Sequence, residues 1–194
     1  MADSRDSPDL HWIDPQQRGV FPLDRFHMAR SLRRRIRGAP FTVTFDRDFT
    51  GVVRGCAERD ETWINATIFD LYTALHGAGR AHSVELWEGA VLIGGVYGVT
   101  IGAAFFGESM FSRRTDASKV ALTYLIDRLR VGGFVLFDTQ FLTPHLASLG
   151  AIEIPRHRYL RHLAHAIRAP ADFASAGPEA PAPDQILQRM TQTS

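Results

Sequence analysis

Strand-like patterning is densest from residue 83 to residue 106. Residues 83–87 and 90–97 are apolar runs rich in branched and aromatic side chains, and Glu88-Gly89 makes a tight turn between them. Residues 98–101 continue or bulge the second run. Residues 103–106 read as a further strand that ends at Gly107-Glu108-Ser109-Met110-Phe111. Phe41-Thr-Val-Thr-Phe45 alternates like a strand, residues 134–137 form a short buried run entered through Gly132-Gly133, and residues 151–154 form another. Helical spacing predicts elements at 24–37 (Phe26, Ala29, Leu32 or Arg33, Ile36), 67–76 (Ile68, Leu71, Tyr72, Leu75), 115–130, 143–150 and 155–167. Pro144 suits the first turn of the short helix and Gly150 its end. Residues 51–56 read as a connecting stretch and residues 1–9 as loose. Ala, Pro, Asp and Gly dominate from Arg168, so residues 169–194 are expected to be mostly disordered, with a frayed helix at 185–190.

A meander followed by helix, strand, helix, strand, helix is the order of an acetyltransferase-like (GNAT-like) α+β domain. The expected division is a small N-terminal α/β segment with a basic helix at 1–61, the GNAT-like domain at 62–168 and a tail at 169–194. Hydrophobic residues make up 45% and charged residues 22%, as in an ordinary soluble core. The start is polar and acidic, without a signal peptide, and no apolar run is long enough to span a bilayer, so a cytoplasmic protein without membrane contact is expected. Cys56 is the sole cysteine, which excludes a disulfide or a cysteine-based metal site and reads as a structural thiol. A net charge of +1 implies no global attraction to nucleic acid. Locally the picture differs: five arginines crowd positions 30 to 37 with no acid among them. That face suits a polyanion or, in a chain whose only lysine is Lys119, simply a soluble surface.

At the end of the run at 134–137, Asp138, Thr139 and Gln140 appear together. The C-terminal ends of strands in open α/β sheets are where ligands bind. Alternation turns Asp138 and Gln140 the same way. They can hold and polarise an amine; otherwise Asp138 caps the next helix, or both sit in a solvated turn. Trp63 reads as core or pocket wall. The glycines at 94, 95, 98 and 102 fall inside strands, not at a strand-to-helix turn, so they signal bulges and close approaches and not a dinucleotide site. The stretch before the helix at 115–130, Met110-Phe-Ser-Arg-Arg-Thr-Asp-Ala-Ser, lacks the glycine turn with which acetyltransferases grip coenzyme A. Asp138, His145 and Ser148 lack a nucleophile elbow and read as part of a packed helix, not as a hydrolytic triad.

Gly94-Gly-Val-Tyr-Gly-Val99, Phe106-Gly-Glu-Ser-Met-Phe-Ser-Arg113, Asp116-Ala-Ser-Lys-Val-Ala-Leu122, Asp138-Thr-Gln140 and the run from His145 to Arg156 resemble the leucyl/phenylalanyl-tRNA–protein transferase family. Thr62-Trp-Ile64, His82-Ser-Val-Glu85 and the arginine-rich helix extend the resemblance over about residues 11–165. It implies transfer of leucine or phenylalanine from leucyl- or phenylalanyl-tRNA to the α-amine of proteins beginning with Arg or Lys, marking them for N-degron degradation. No coenzyme or metal is implied, and a monomer is expected. By resemblance, Asp138 and Gln140 hold and polarise the amine, and Glu108 receives the cationic acceptor side chain. Val96, Phe105, Phe137 and Thr139 line the pocket for the leucyl or phenylalanyl group, and Trp63 contacts the terminal adenosine. Arg30, Arg33, Arg34 and Arg37 grip the acceptor stem. Thr143 stands where family members have an asparagine credited with steadying the oxyanion, and its hydroxyl can donate in that place. The family's first segment, which ends in a Gly-Ile-Phe-Pro motif, falls before Met1, so the expectation is either a true start further upstream or a shortened form with weakened donor binding. The alternatives are a coenzyme A-dependent N-acetyltransferase and a non-catalytic tRNA-binding homologue.

Overall fold

Three long strands form the antiparallel part of one seven-stranded sheet, ordered β2-β3-β4-β5-β6-β1-β7 in a computed structural model. It describes residues 2, 4, 5, 7, 9, 11, 13–38, 40–59 and 62–191. The expectation of loose residues at 1–9 falls partly outside these. β3 (Ala81–Glu88), β4 (Val91–Ile101) and β5 (Ala104–Ser112) form the antiparallel meander. The helix α4 (Ala117–Val131) returns the chain so that β6 (Leu136–Gln140) pairs with β5 in parallel. β1 (Gln17–Val20) lies antiparallel to β6 and β7 (Ile152–Pro155) antiparallel to β1, while β2 (Thr42–Phe45) closes the other edge against β3. The sheet therefore takes strands from both sides of residue 62.

Consecutive glycines in β4 show how the layers are stacked. A Cβ on Gly94 would stand 2.6 Å from Ala117 Cβ in α4, and one on Gly95 would stand 2.9 Å from Val52 in α2 (Phe49–Ala57). Neighbouring strand residues face opposite ways, so α4 and α2 press on opposite sides of the sheet. On the α4 side, Leu32 and Ile36 of α1 (Arg30–Gly38) and Leu146 of α5 (Pro144–Ser148) join Phe105 and Phe137 in the main core. On the other side, α2 and α3 (Ala66–Gly77) cover Leu92, Tyr97 and Phe111. There α6 (Arg156–Ala166) lays Tyr159 and Ala166 over Ala104 and Leu136.

Several elements differ from the sequence expectation. The helix expected at 24–37 begins only at Arg30, because residues 25–29 are irregular and His27 N donates to Leu149 O at 2.8 Å. Phe26 and Met28, two positions apart, both reach the core, which is an extended spacing. The stretch 51–56 is no connector but the body of α2, capped by Asp48 Oδ1 on Gly51 N. Phe49, Val52, Val53 and Cys56 are buried at helical spacing there. Its glycines obscured the pattern; a Cβ on Gly55 would strike the Phe111 ring at 2.7 Å, so glycine is what lets the helix approach β5. β5 does not stop at Gly107 but runs to Ser112, which puts Glu108 on a strand. On α3, Leu71 and Leu75 are exposed, not buried. The tail is ordered through residue 191: Phe173 stacks on His82 at 4.3 Å, and Ile186, Leu187 and Met190 of α7 (Pro183–Thr191) are buried in the main core. Among the described residues, no helix is long and apolar enough to cross a membrane.

Candidate active site

The sheet opens where its parallel pair parts. β5 and β6 pair only at Ala104–Phe106 against Leu136–Asp138. Past that point β5 stays with β4 through a bulge that leaves Glu108 unpaired, Tyr97 facing Ser109 and Gly98 facing Gly107. β6 ends at Gln140, whose φ is +62°, a left-handed conformation that costs a non-glycine residue about 1–3 kcal/mol. The separated strands leave a cavity of about 780 Å³ at the C-terminal end of β6. Its walls are the end of α2 (Gly55, Glu58, Arg59), Trp63, residues 108–113 of β5 and the following turn, Ser118, residues 139–141, and Thr143, His145 and Leu146 around α5.

Glu108 and Gln140 meet across this cavity, with Gln140 Nε2 donating to Glu108 Oε2 at 3.3 Å. A carboxylate only accepts, so the amide must turn its NH2 toward Glu108, leaving Oε1 free to accept. The Tyr72 hydroxyl also bonds Glu108. Burial pushes the Glu108 carboxyl up, and the nearby Asp138 charge adds to that, against the two hydrogen bonds. Burial likewise pushes the Tyr72 phenol up, with the Glu108 charge helping. Thr143 caps α5, its hydroxyl oxygen accepting from Leu146 N at 3.2 Å, which leaves its hydroxyl proton to donate. His145 is pushed down by burial and by Lys119.

Asp138 lies behind this surface with 0% exposure. Arg18 Nε contacts both of its oxygens at 3.0 and 3.1 Å, and Arg18 Nη2 reaches Oδ2 at 2.7 Å. Tyr159 Oη donates to Oδ2 at 2.6 Å, and the Gln140 main-chain N donates to Oδ1 at 2.8 Å. The left-handed turn at Gln140 breaks the strand alternation, so the two side chains do not converge as expected. Asp138 holds the Gln140 main chain instead.

Of the residues singled out from sequence, Trp63, Glu108, Thr139, Gln140 and Thr143 line the cavity. Val96, Phe105 and Phe137 do not; they are buried in the core on the α4 side, with Phe21 stacked on Phe137 at 5.7 Å. Arg30, Arg33, Arg34 and Arg37 are exposed on α1; Arg37 sits 3.5 Å from Asp184, and Arg33 Nε donates to Met28 O at 3.4 Å. Sequence reading missed Arg18, Tyr72 and Tyr159, which reach the site from β1, α3 and α6. It also missed Arg113, which binds both oxygens of Glu58 and the Leu92 carbonyl at the cavity's rim.

Residues 20–164 match a family model described as leucyl/phenylalanyl-tRNA protein transferase. A leucyl/phenylalanyl-tRNA–protein transferase from Cereibacter sphaeroides is 66% identical over 194 residues, covering 100% of this chain and 90% of that protein. One from Ruegeria pomeroyi is 61% identical over 100% of this chain and 91% of its own length. Among solved structures, a crystal structure of FemX aligns with TM-score 0.54 at 12% identity, over 82% of this chain and 66% of that one, which shows a shared fold.

Proposed function

The chain belongs to the leucyl/phenylalanyl-tRNA–protein transferase family, and on that premise we propose that its cavity passes leucine or phenylalanine from a tRNA ester to the α-amine of an acceptor beginning with Arg or Lys. The observation that carries this is the Glu108–Gln140 pair at the parting of β5 and β6. The pair offers an anionic group for the acceptor's cationic side chain and, beside it, a carbonyl oxygen for the amine. The chemistry asks for little more. An aminoacyl ester is already activated, and an α-amine of pKa ~7.7–8.0 is partly neutral at physiological pH. Gln140 Oε1 accepts one amine N–H and so aims the lone pair at the ester carbon. Positioning of this kind supplies most of the acceleration. The Thr143 hydroxyl proton is free for the developing oxyanion.

Trp63, on the opposite wall, offers a stacking surface for the terminal adenosine. Thr139 borders the cavity, and Val96, Phe105 and Phe137, buried in the core on the α4 side, stand where the family resemblance puts an apolar wall for the leucyl or phenylalanyl group. Burying such a side chain contributes roughly 1.5–3 kcal/mol. The α1 arginines face solvent and suit the phosphates of the acceptor stem. The fold reads as acetyltransferase-like, with the splayed parallel pair as the site. A coenzyme A-dependent reaction is disfavoured because the stretch leading into α4 lacks the glycine turn that grips its pyrophosphate. In this reading the protein acts as a cytoplasmic monomer and marks acceptors for N-degron degradation.

The test is transfer of labelled leucine and phenylalanine from their tRNAs to peptides that differ only at the first residue. Transfer to Arg- and Lys-initiated peptides, with little to an Ala-initiated one, is expected. Binding of charged tRNA without transfer would point to the non-catalytic alternative.

A further inference from the structure

We propose that Arg18 and Tyr159 are positioning residues for the transfer: they clamp Asp138 so that it fixes the main chain of Gln140, and thereby the carboxamide, at the site. This rests on the reading of Gln140 given above. A carboxylate has about four lone-pair sites. Those of Asp138 are taken by the Arg18 guanidinium, the Tyr159 hydroxyl and the Gln140 N–H, and its side chain has no exposed surface. It therefore has no capacity left for a substrate amine, and its one link to the cavity is the hydrogen bond to Gln140 N. Gln140 is where such a link is needed, since a residue at φ +62° relaxes toward ordinary strand geometry unless it is held.

The clamp is assembled from three elements that meet only in the fold. Arg18 comes from β1, whose next residue, Gly19, passes so close beneath the turn that a Cβ there would lie 2.6 Å from the Phe141 carbonyl carbon. Tyr159 comes from α6 on the face opposite α4, and its ring also lies 4.9 Å from the Arg18 guanidinium. Burial works against the Arg18 charge, but the hydrogen bond and charge of Asp138 outweigh it and the net shift is upward. The same burial pushes the Tyr159 phenol up, and Asp138 adds to it, so the hydroxyl stays a donor at working pH.

A purely structural ion pair would predict lost stability and unchanged turnover per folded molecule. The positioning role predicts something else. Tyr159→Phe keeps the ring and removes one donor to Asp138; Arg18→Lys keeps the charge and loses the two-pronged contact. Each should lower single-turnover transfer on the order of tenfold or more. Binding of charged tRNA and the acceptor's apparent KM should stay within twofold. In a Gln140→Ala background neither change should lower the residual rate further, because the group they position is gone. Transfer within twofold of wild type for both variants would overturn the proposal, and so would an equal loss with and without Gln140. If the wild-type protein itself transfers nothing from any charged tRNA, the functional reading fails and the proposal falls with it.

Discussion

Burial holds the Glu108 carboxyl above its ordinary range, and that has consequences for both rate and stability. Only the ionised form attracts a cationic acceptor. Acceptor kcat/KM should therefore fall as pH drops through the raised Glu108 pKa, separately from the fall caused by protonation of the amine. Glu108→Gln should erase the first limb, raise KM for Arg-initiated peptides and weaken their advantage over Ala-initiated ones, by roughly ten- to a hundredfold if a charged hydrogen bond of ~1.5–3 kcal/mol is lost. Stability should move the other way. A carboxyl pKa raised in the folded state means the folded chain binds the proton more tightly, so wild-type stability falls as pH rises through that value. Melting curves should show Glu108→Gln gaining on wild type as pH rises, with no gain in acid; an equal gain at all pH values would contradict the burial argument. Cys56, pushed up to about 12 by burial, should resist alkylation at neutral pH until the chain unfolds. At this scale the sequence could point to Glu108 and Gln140, whose polar groups interrupt apolar runs. It could not reveal Arg18, because Arg18 and Asp138 are 120 residues apart and meet only through the insertion of β1 beside β6. Nor could alternation separate a pocket wall from plain core at Val96, Phe105 and Phe137.

Helices α1 and α6 both expose arginines, and the sheet keeps them apart. α1 lies on the α4 face; α6, with Arg158 and Arg161 exposed, lies on the other. Changing Arg30, Arg33 and Arg34 together to Ala should weaken charged-tRNA binding and flatten its salt dependence by up to about 2–3 units of slope. Changing Arg158, Arg161 and Arg168 on the α6 side alters net charge equally and serves as the control. Equal losses from both sets would mean that net charge, not α1, sets the affinity. The tail makes a separate prediction. Ile186 of α7 has 0% exposure, and Arg189 pairs with the buried Asp127 at 3.0 Å. Ile186→Ala should lower stability by ~2–4 kcal/mol, or roughly 4–16 °C in Tm. A melting point within 1 °C or so of wild type would mean that α7 adds little to the core. A frayed helix was legible at 185–190, but the Pro- and Ala-rich composition hid its packing, since its few apolar residues count only once α1 and α4 present a surface for them. Periodicity was readable where elements were long, as in α4, and failed in α2, where two glycines stand at the helix's close approaches.

On the scale of the whole molecule, one sheet with helices on both faces parts between two parallel strands, and Trp63, Glu108, Gln140 and Thr143 gather at that opening. The order of strands and helices from β3 to α6 was legible because each element repeats its own period. The insertion of β1 between β6 and β7 was not, since nothing local in Gln17–Val20 distinguishes an inner strand from an edge. In the function proposed above, Gln140, held in its left-handed turn, aims the acceptor amine at the ester. The most direct test of that role is single-turnover transfer of phenylalanine from its tRNA to an Arg-initiated peptide by wild type and Gln140→Ala, with binding of the charged tRNA measured alongside. A loss on the order of a hundredfold in the transfer rate is expected, with tRNA binding unchanged. Transfer by Gln140→Ala at close to the wild-type rate would contradict it.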